Sequence, residues 1–170
     1  GLSIFVAECK LLLARIALAR GRHEEAVVTA TAAVEGYAAT RSRSEEAEAR
    51  AWLVQALLAG GQAVDVPLAR AQALAATTQT PQTRLRVALV AALVAGSRGD
   101  QGEARRALAG VVEEATELGF GVIALEARQA AARVEIAAGR ASEGRDALAA
   151  VVADAERLGL RRIARESRAP

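Results

Sequence analysis

Residues 103–128, EARRALAGVVEEATELGFGVIALEAR, decide the fold because they recur forty positions later as residues 143–168, EGRDALAAVVADAERLGLRRIARESR. Aligned without a gap, the two segments are identical at more than half of their positions, far above chance even for Ala-rich helices. The identical positions are Glu103, Arg105, Ala107, Leu108, Ala109, Val111, Val112, Ala115, Leu118, Gly119, Ile123, Ala124, Glu126 and Arg128. The match establishes an internal repeat, which is the first indication of a helical array.

Apolar residues within this repeat recur at steps of three and four, which is typical of a helix that buries one face. In the first copy they are Ala104, Ala107, Leu108, Val111, Val112, Ala115 and Leu118. Aromatic residues make up only 2% of the chain, so the core must consist mainly of Ala, Leu and Val. Such a core suits closely packed helices better than β-strands, which favour β-branched and aromatic side chains.

Local signals predict where helices begin and end. Asp100 with Glu103, and Ser42 with Glu45, have the spacing of capping boxes. Gly119 and Gly159, just past the periodic runs, predict left-handed C-terminal caps. Four further glycines follow helical runs at steps close to forty residues and are expected to release each first helix into a tight turn: Gly21, Gly61, Gly99 and Gly139.

The sequence therefore predicts eight helices and a short ninth one. They cover residues 2–20, 23–40, 45–60, 63–78, 81–97, 101–118, 120–138, 142–158 and 160–168. Short links make consecutive helices antiparallel, and stacked hairpins form a superhelix. The expected fold is all-α: a right-handed α-solenoid of about four antiparallel helix pairs in one domain, residues 1–170. Its repeats are 2–40, 43–79, 81–119 and 120–159, with 160–170 as a C-terminal helix or cap.

The spacing of small residues and glycines resembles that of the tetratricopeptide repeat. The positions that carry the resemblance are Leu13-Ala14, Gly21 and Glu25-Ala26; Ala91-Ala92, Gly99 and Glu103-Ala104; and Ala131-Ala132, Gly139 and Glu143-Gly144. A small residue in the first helix lets the second helix approach, and the glycine ends the first helix. The period of about 40 exceeds the usual 34 residues or so, and the aromatic knobs of that family are missing. The Ala- and Arg-rich composition of the sequence also resembles that of helical-repeat regions in large bacterial signalling proteins.

No arrangement of residues in the sequence predicts catalysis. His23 is the single histidine and Cys9 the single cysteine. They are too far apart to form a nucleophilic pair, and neither has further ligands at metal-site spacing. We expect an exposed loop histidine, a buried structural thiol, and no enzyme activity, metal or cofactor.

Charge and hydropathy predict neither nucleic-acid nor membrane binding. The net charge is only +2, without a concentrated basic face, and few aromatics are available to stack on bases. No apolar stretch reaches the 18 or so residues that a membrane helix needs. No signal peptide is evident near the start, so a cytoplasmic location is expected. The absence of Met favours a fragment of a longer protein.

The tetratricopeptide resemblance implies a binding groove, because the first helix of each pair lines the concave face in that family. The implied partner-binding residues are Glu8, Leu11, Arg15, Glu48, Trp52, Gln55, Arg86, Leu89, Glu126, Gln129 and Arg133. Leucines with separated acids and arginines suit an extended or helical peptide. Two alternatives stay open. The charged residues either bind a partner or bridge adjacent helices, and Trp52 is either a core filler or an interfacial anchor.

These patterns favour a protein–protein interaction or scaffold module, as in the regulatory or sensor region of a bacterial signalling protein. Self-association is the main alternative. Terminal repeats need polar caps, and an uncapped Ala-rich helical face at the end of an array tends to bind another copy. An RNA-binding helical repeat is the third possibility.

Overall fold

The computed structural model describes residues 2–168, and all of its regular structure is helical. The helices are α1 (Leu2–Ala19), α2 (His23–Ala39), α3 (Arg43–Ala59), α4 (Asp65–Ala75), α5 (Pro81–Ser97), α6 (Gln101–Glu117), α7 (Gly121–Ala137), α8 (Ala141–Arg157) and α9 (Arg161–Arg168). The predicted all-α, solenoid-like succession of helices is confirmed. Right-handed stacking and a single domain stay predictions.

The chain divides into two compact units, and the division falls between Val90 and Ala91, inside α5. Each unit is built from successive helices that contact one another. The two units are described separately below.

In the first unit, α1 and α2 form an antiparallel hairpin. Gly36, near the end of α2, lies so close to the start of α1 that an added Cβ would be 2.8 Å from the Ala7 Cβ. Small side chains permit this approach and fill much of the core behind it. That core contains Ala7, Leu11, Ala14, Ala30, Ala33, Val34, Tyr37, Ala49, Trp52 and Leu53.

In the second unit, α7 and α8 are also antiparallel. Arg128, near the middle of α7, donates a hydrogen bond to Asp154 near the end of α8, at 2.7 Å. The short helix α9 then packs on both of them, over a core of Leu125, Val151, Ala155, Ile163 and Ala164. This arrangement follows from the apolar stripe repeated in α6 and α8.

The turns that end the helices share one geometry. Six glycines have positive φ: Gly21, Gly61, Gly99, Gly119, Gly139 and Gly159. At the end of α6, Phe120 N–H donates to the Ala115 carbonyl at 2.8 Å and Gly119 N–H donates to Thr116, which is the Schellman pattern. Arg41 takes the same place after α2, with φ of 56°. The C-terminal caps predicted at Gly119 and Gly159 are confirmed.

The predicted N-terminal caps have different outcomes. Asp100 accepts a hydrogen bond from the Glu103 N–H at 3.0 Å, as predicted. The prediction for Ser42 is wrong, because its side chain caps nothing and its hydroxyl instead pairs with that of Thr40 at 3.0 Å. The thiol of Cys9 is half-buried rather than fully buried.

Helix α4 is shorter than the predicted range of 63–78. It starts only at Asp65, beside Pro67, and after Ala75 the chain makes tighter turns in which the Thr77 hydroxyl bonds to the Leu74 carbonyl at 3.0 Å. Threonine hydroxyls compete in this way with backbone N–H groups for helical carbonyls, which favours the end of a helix. Among residues 2–168, no helix combines the length and the apolarity needed to cross a bilayer.

Candidate functional site

Four of the residues predicted to bind a partner line one cavity in the first unit. Glu8, Leu11 and Arg15 reach it from α1, and Glu48 reaches it from α3; its volume is about 330 Å³. The three α1 residues are spaced by three and four positions and therefore lie on one helix face. The cavity therefore lies between this face of α1 and helix α3, which are not consecutive in the chain.

The same cavity has four further lining residues that the sequence analysis did not assign to a binding site. They are Ile4, Leu12, Tyr37 and Glu45. Tyr37 belongs to α2, whereas the family resemblance implies a groove of first helices only. Glu45 lies three residues before Glu48, so helical spacing could have placed both on one face, but its first-turn position favoured a helix-dipole role.

Negative charge dominates this cavity. Glu8, Glu45 and Glu48 form no hydrogen bond or ion pair with any residue in the described range 2–168. The phenol of Tyr37 is 3% exposed and likewise has no hydrogen-bond partner there. Burial raises the pKa of Tyr37, and the three nearby carboxylates raise it further.

The only cation lining the cavity within the described chain is Arg15, and it is stacked on an aromatic ring. Its guanidinium carbon lies 5.0 Å from the centroid of the Trp52 ring, and that of Arg86 lies 4.6 Å from it. This geometry is that of a cation–π pair. Three helices, α1, α3 and α5, are thereby joined through one indole.

Trp52 itself lies in the core. It is 5% exposed, packed among the apolar residues of α1, α2 and α3, so direct contact with a partner is small. Its Nε1–H and the Gln55 Oε1 are both buried without a hydrogen-bond partner in the described chain. Of the two open interpretations, these contacts favour the core filler.

The remaining predicted residues are engaged inside their own unit or buried. Leu89 is a core residue of α5. Gln129 donates to the Ser167 hydroxyl at 2.9 Å, and Glu126 forms an ion pair with Arg162. Arg133, the third predicted residue on α7, donates a hydrogen bond to the Glu166 carbonyl at 2.7 Å. The three α7 residues thus bind α9, which is the bridging alternative described above.

A second, larger cavity of about 770 Å³ lies in the second unit, between the end of α7, the first half of α8 and the end of α9. Ile136, Leu148 and Val152 give it an apolar floor, and Arg133 and Arg145 stand at its side. Helix α9 has only eight residues against seventeen in α7, so it covers only part of α8.

Within residues 2–168, no group of three or more His, Cys, Asp or Glu side chains is placed to hold a metal ion.

Comparison of the chain with protein-family models, with curated proteins and with solved structures found no match. The resemblance to tetratricopeptide repeats consequently rests on the motif residues quoted above and on the packing of successive helices.

Proposed function

We propose that this chain is a tetratricopeptide-like binding module that receives a peptide segment of another protein in the cavity between α1, α2 and α3. One observation carries the proposal. Residues that the tetratricopeptide resemblance implies for the groove, on two different first helices, line one cavity of about 330 Å³. We place the module in a regulatory or sensor region of a signalling protein, for which the support is the resemblance of its repeats.

The surface chemistry of the cavity supports recognition of a peptide. Exposed Ile4 and Leu12 stand beside carboxylates that have no partner within the described chain. Apolar floors with a few placed polar groups are the usual composition of binding pockets. A volume at the lower end of the range for such pockets, about 300–1,000 Å³, suits one or two side chains of a peptide.

The proposal can be tested by selecting peptides from a phage-displayed library of random dodecapeptides on the purified 170-residue chain. Binders should have Kd values of about 100 µM or tighter in calorimetry. The variant Glu8→Arg, which puts a long cation into the cavity, should weaken them about tenfold or more. Glu35→Arg is the matched control, since Glu35 is an exposed carboxylate on α2 outside the cavity. No enrichment, or equal binding by both variants, would contradict the proposal.

Self-association is a second candidate, and a specific surface favours it. Helix α1 exposes an uncharged apolar stripe, opposite its buried face, comprising Leu2, Phe5, Val6, Leu13 and Ile16. Two copies of such a stripe can pair across a two-fold axis without any charge complementarity. We therefore propose that this stripe of α1 pairs with the same stripe on a second copy of the chain.

Light scattering tests this second candidate. A dimer should persist on dilution to micromolar concentration, and Phe5→Glu should convert it to a monomer. Val28→Glu on α2 is the control, because Val28 is an isolated exposed apolar residue. A monomer at all concentrations, or a dimer indifferent to Phe5→Glu, would exclude pairing through α1.

A further inference from the structure

Carboxylates predominate among the polar side chains that line the cavity between α1, α2 and α3. We infer that it binds the side chain of a lysine on the partner peptide, with the ammonium group among Glu8, Glu45 and Glu48 and the aliphatic stem against Ile4 and Leu12. This inference rests on the proposed peptide-binding function and names the residue that is recognised.

The charge of the cavity is unbalanced. Three carboxylates line it, and none is paired with a cation in the described part of the chain. Some carboxylates outside the cavity are paired, such as Glu46 with Arg50 at 2.8 Å and Asp154 with Arg128 at 2.7 Å. Like charges collected without counterions repel one another, and a bound cation relieves that repulsion.

Tyr37 presents a phenol at the wall of the cavity. Its side chain is almost wholly buried and lines the cavity, and residues 2–168 give its oxygen no hydrogen-bond partner. This oxygen is not one of the fully buried unpartnered atoms, so a group bound in the cavity can reach it. The phenol oxygen can accept a hydrogen bond from an ammonium group.

The shape of the cation favours lysine over arginine. A lysine side chain combines a compact ammonium group bearing three donors with a four-carbon apolar stem. Carboxylates contributed by two helices, α1 and α3, suit a point charge with three separate donors. The planar guanidinium of arginine prefers one carboxylate that accepts two parallel hydrogen bonds. Ile4 and Leu12, each nearly half exposed, supply the apolar surface for the stem.

Arg15 does not neutralise the site. It is the one cation on the cavity wall within the described residues, against three carboxylates. Its guanidinium is stacked over Trp52 at 5.0 Å, which holds it on the side of the α1–α3 contact. The cavity therefore keeps a net negative charge.

The experiment is a titration of the 170-residue chain with Nα-acetyl-lysinamide, followed by NMR. Tyr37 is the single tyrosine, so its ring signals report on the cavity without ambiguity. We expect them to shift saturably at millimolar concentrations. Nα-acetyl-norleucinamide, with the same stem and no charge, and Nα-acetyl-argininamide should each produce much smaller shifts.

Variants assign the effect to the carboxylates. Glu45→Gln/Glu48→Gln should lose most of the saturable shift at Tyr37. Glu113→Gln/Glu117→Gln on α6 removes the same charge outside the cavity and should leave the shift intact. Because Glu8 is an exposed surface residue, Glu8→Gln gives a second cavity variant should the double variant fail to fold.

The outcomes separate this inference from the proposed function. Equal or larger shifts with the norleucine or arginine amide, or shifts unaffected by the cavity variants, would overturn the lysine assignment. If selected dodecapeptides bind in a manner sensitive to Glu8→Arg yet contain no lysine, the peptide-binding function stands and the lysine inference falls.

Discussion

A Cβ atom added to Gly144 would lie 2.7 Å from the carbonyl oxygen of Ala132, so α8 starts in direct contact with the backbone of α7. The corresponding residues in earlier repeats are Ala26 and Ala104, so those repeats accommodate a methyl group at this position. Hairpin spacing in this chain is thus fixed by single small residues.

Gly144→Ala should accordingly destabilise the second unit by about 1–3 kcal/mol, the usual cost of overpacking. Urea denaturation followed by circular dichroism measures the change. Gly110→Ala is the control: this glycine lies inside α6, an added Cβ there meets open space, and its replacement should stabilise the helix by about 0.5–1 kcal/mol. A loss of stability no larger at Gly144 than at Gly110 would contradict the close approach.

Arg41 occupies a left-handed backbone position that glycine fills at six other turns. The left-handed conformation costs an L-residue about 1–2 kcal/mol, while glycine loses about 0.5–1 kcal/mol more backbone entropy on folding. Arg41→Gly should therefore stabilise the first unit by roughly 0.5–1 kcal/mol. Ala38→Gly, inside α2, should instead destabilise the first unit. If both variants change its stability in the same direction, the left-handed backbone of Arg41 is not the cause.

Tyr37 gives a pH-dependent signal of the cavity charge. Its pKa is raised above 10.0, first by burial and then by Glu8, Glu45 and Glu48. Since the folded state holds the proton more tightly, the stability contributed by this phenol is complete below pH 10 and is lost as the pH rises through the raised pKa.

Ultraviolet titration of the single tyrosine should place its midpoint above 10.0. Glu45→Gln/Glu48→Gln should lower that midpoint but leave it above the ordinary value, because burial remains. Tyr37→Phe should remove this part of the alkaline loss of stability. A midpoint unchanged by the double variant would show that these carboxylates do not act on the phenol.

Asp154 provides the corresponding test at acid pH. The hydrogen bond from Arg128 holds the pKa of this carboxyl below its ordinary 3.8, and Arg157 contributes as well. The folded state therefore releases the proton more readily, and the stabilisation is present above pH 3.8 and lost as the pH falls through the lowered pKa. Asp154→Asn should flatten the acid limb of the urea midpoint plotted against pH, whereas Asp146→Asn, an exposed carboxyl of α8, should leave it intact.

Much of the fold could be predicted because its determinants are local. Gly119 and Gly159 end their helices where the periodic runs stop, and Asp100 caps α6 by its spacing to Glu103. The errors also have local causes. The Ser42 hydroxyl turns to Thr40, and Arg41 adopts a conformation that sequence rules reserve for glycine.

The candidate site was only half predictable. Glu8 and Glu48 are implied by the tetratricopeptide resemblance, in which first helices line the groove, and both line the cavity. Tyr37 lies on a second helix, and its entry into the cavity depends on the tilt and separation of α1, α2 and α3. Those quantities are set by packing across the whole unit, which no periodicity within one helix records.

The turns of positive φ at residues 99, 119, 139 and 159 follow one another at intervals of twenty residues, and segments forty residues apart, 103–119 and 143–159, are alike in sequence. Genes with tandem similar stretches recombine out of register, and here each such event inserts or removes forty codons in frame. The new junction would fall in an existing turn, and a complete hairpin would be gained or lost. A lineage of such genes can therefore change the reach of its protein in fixed steps while the neighbouring hairpins keep their contacts.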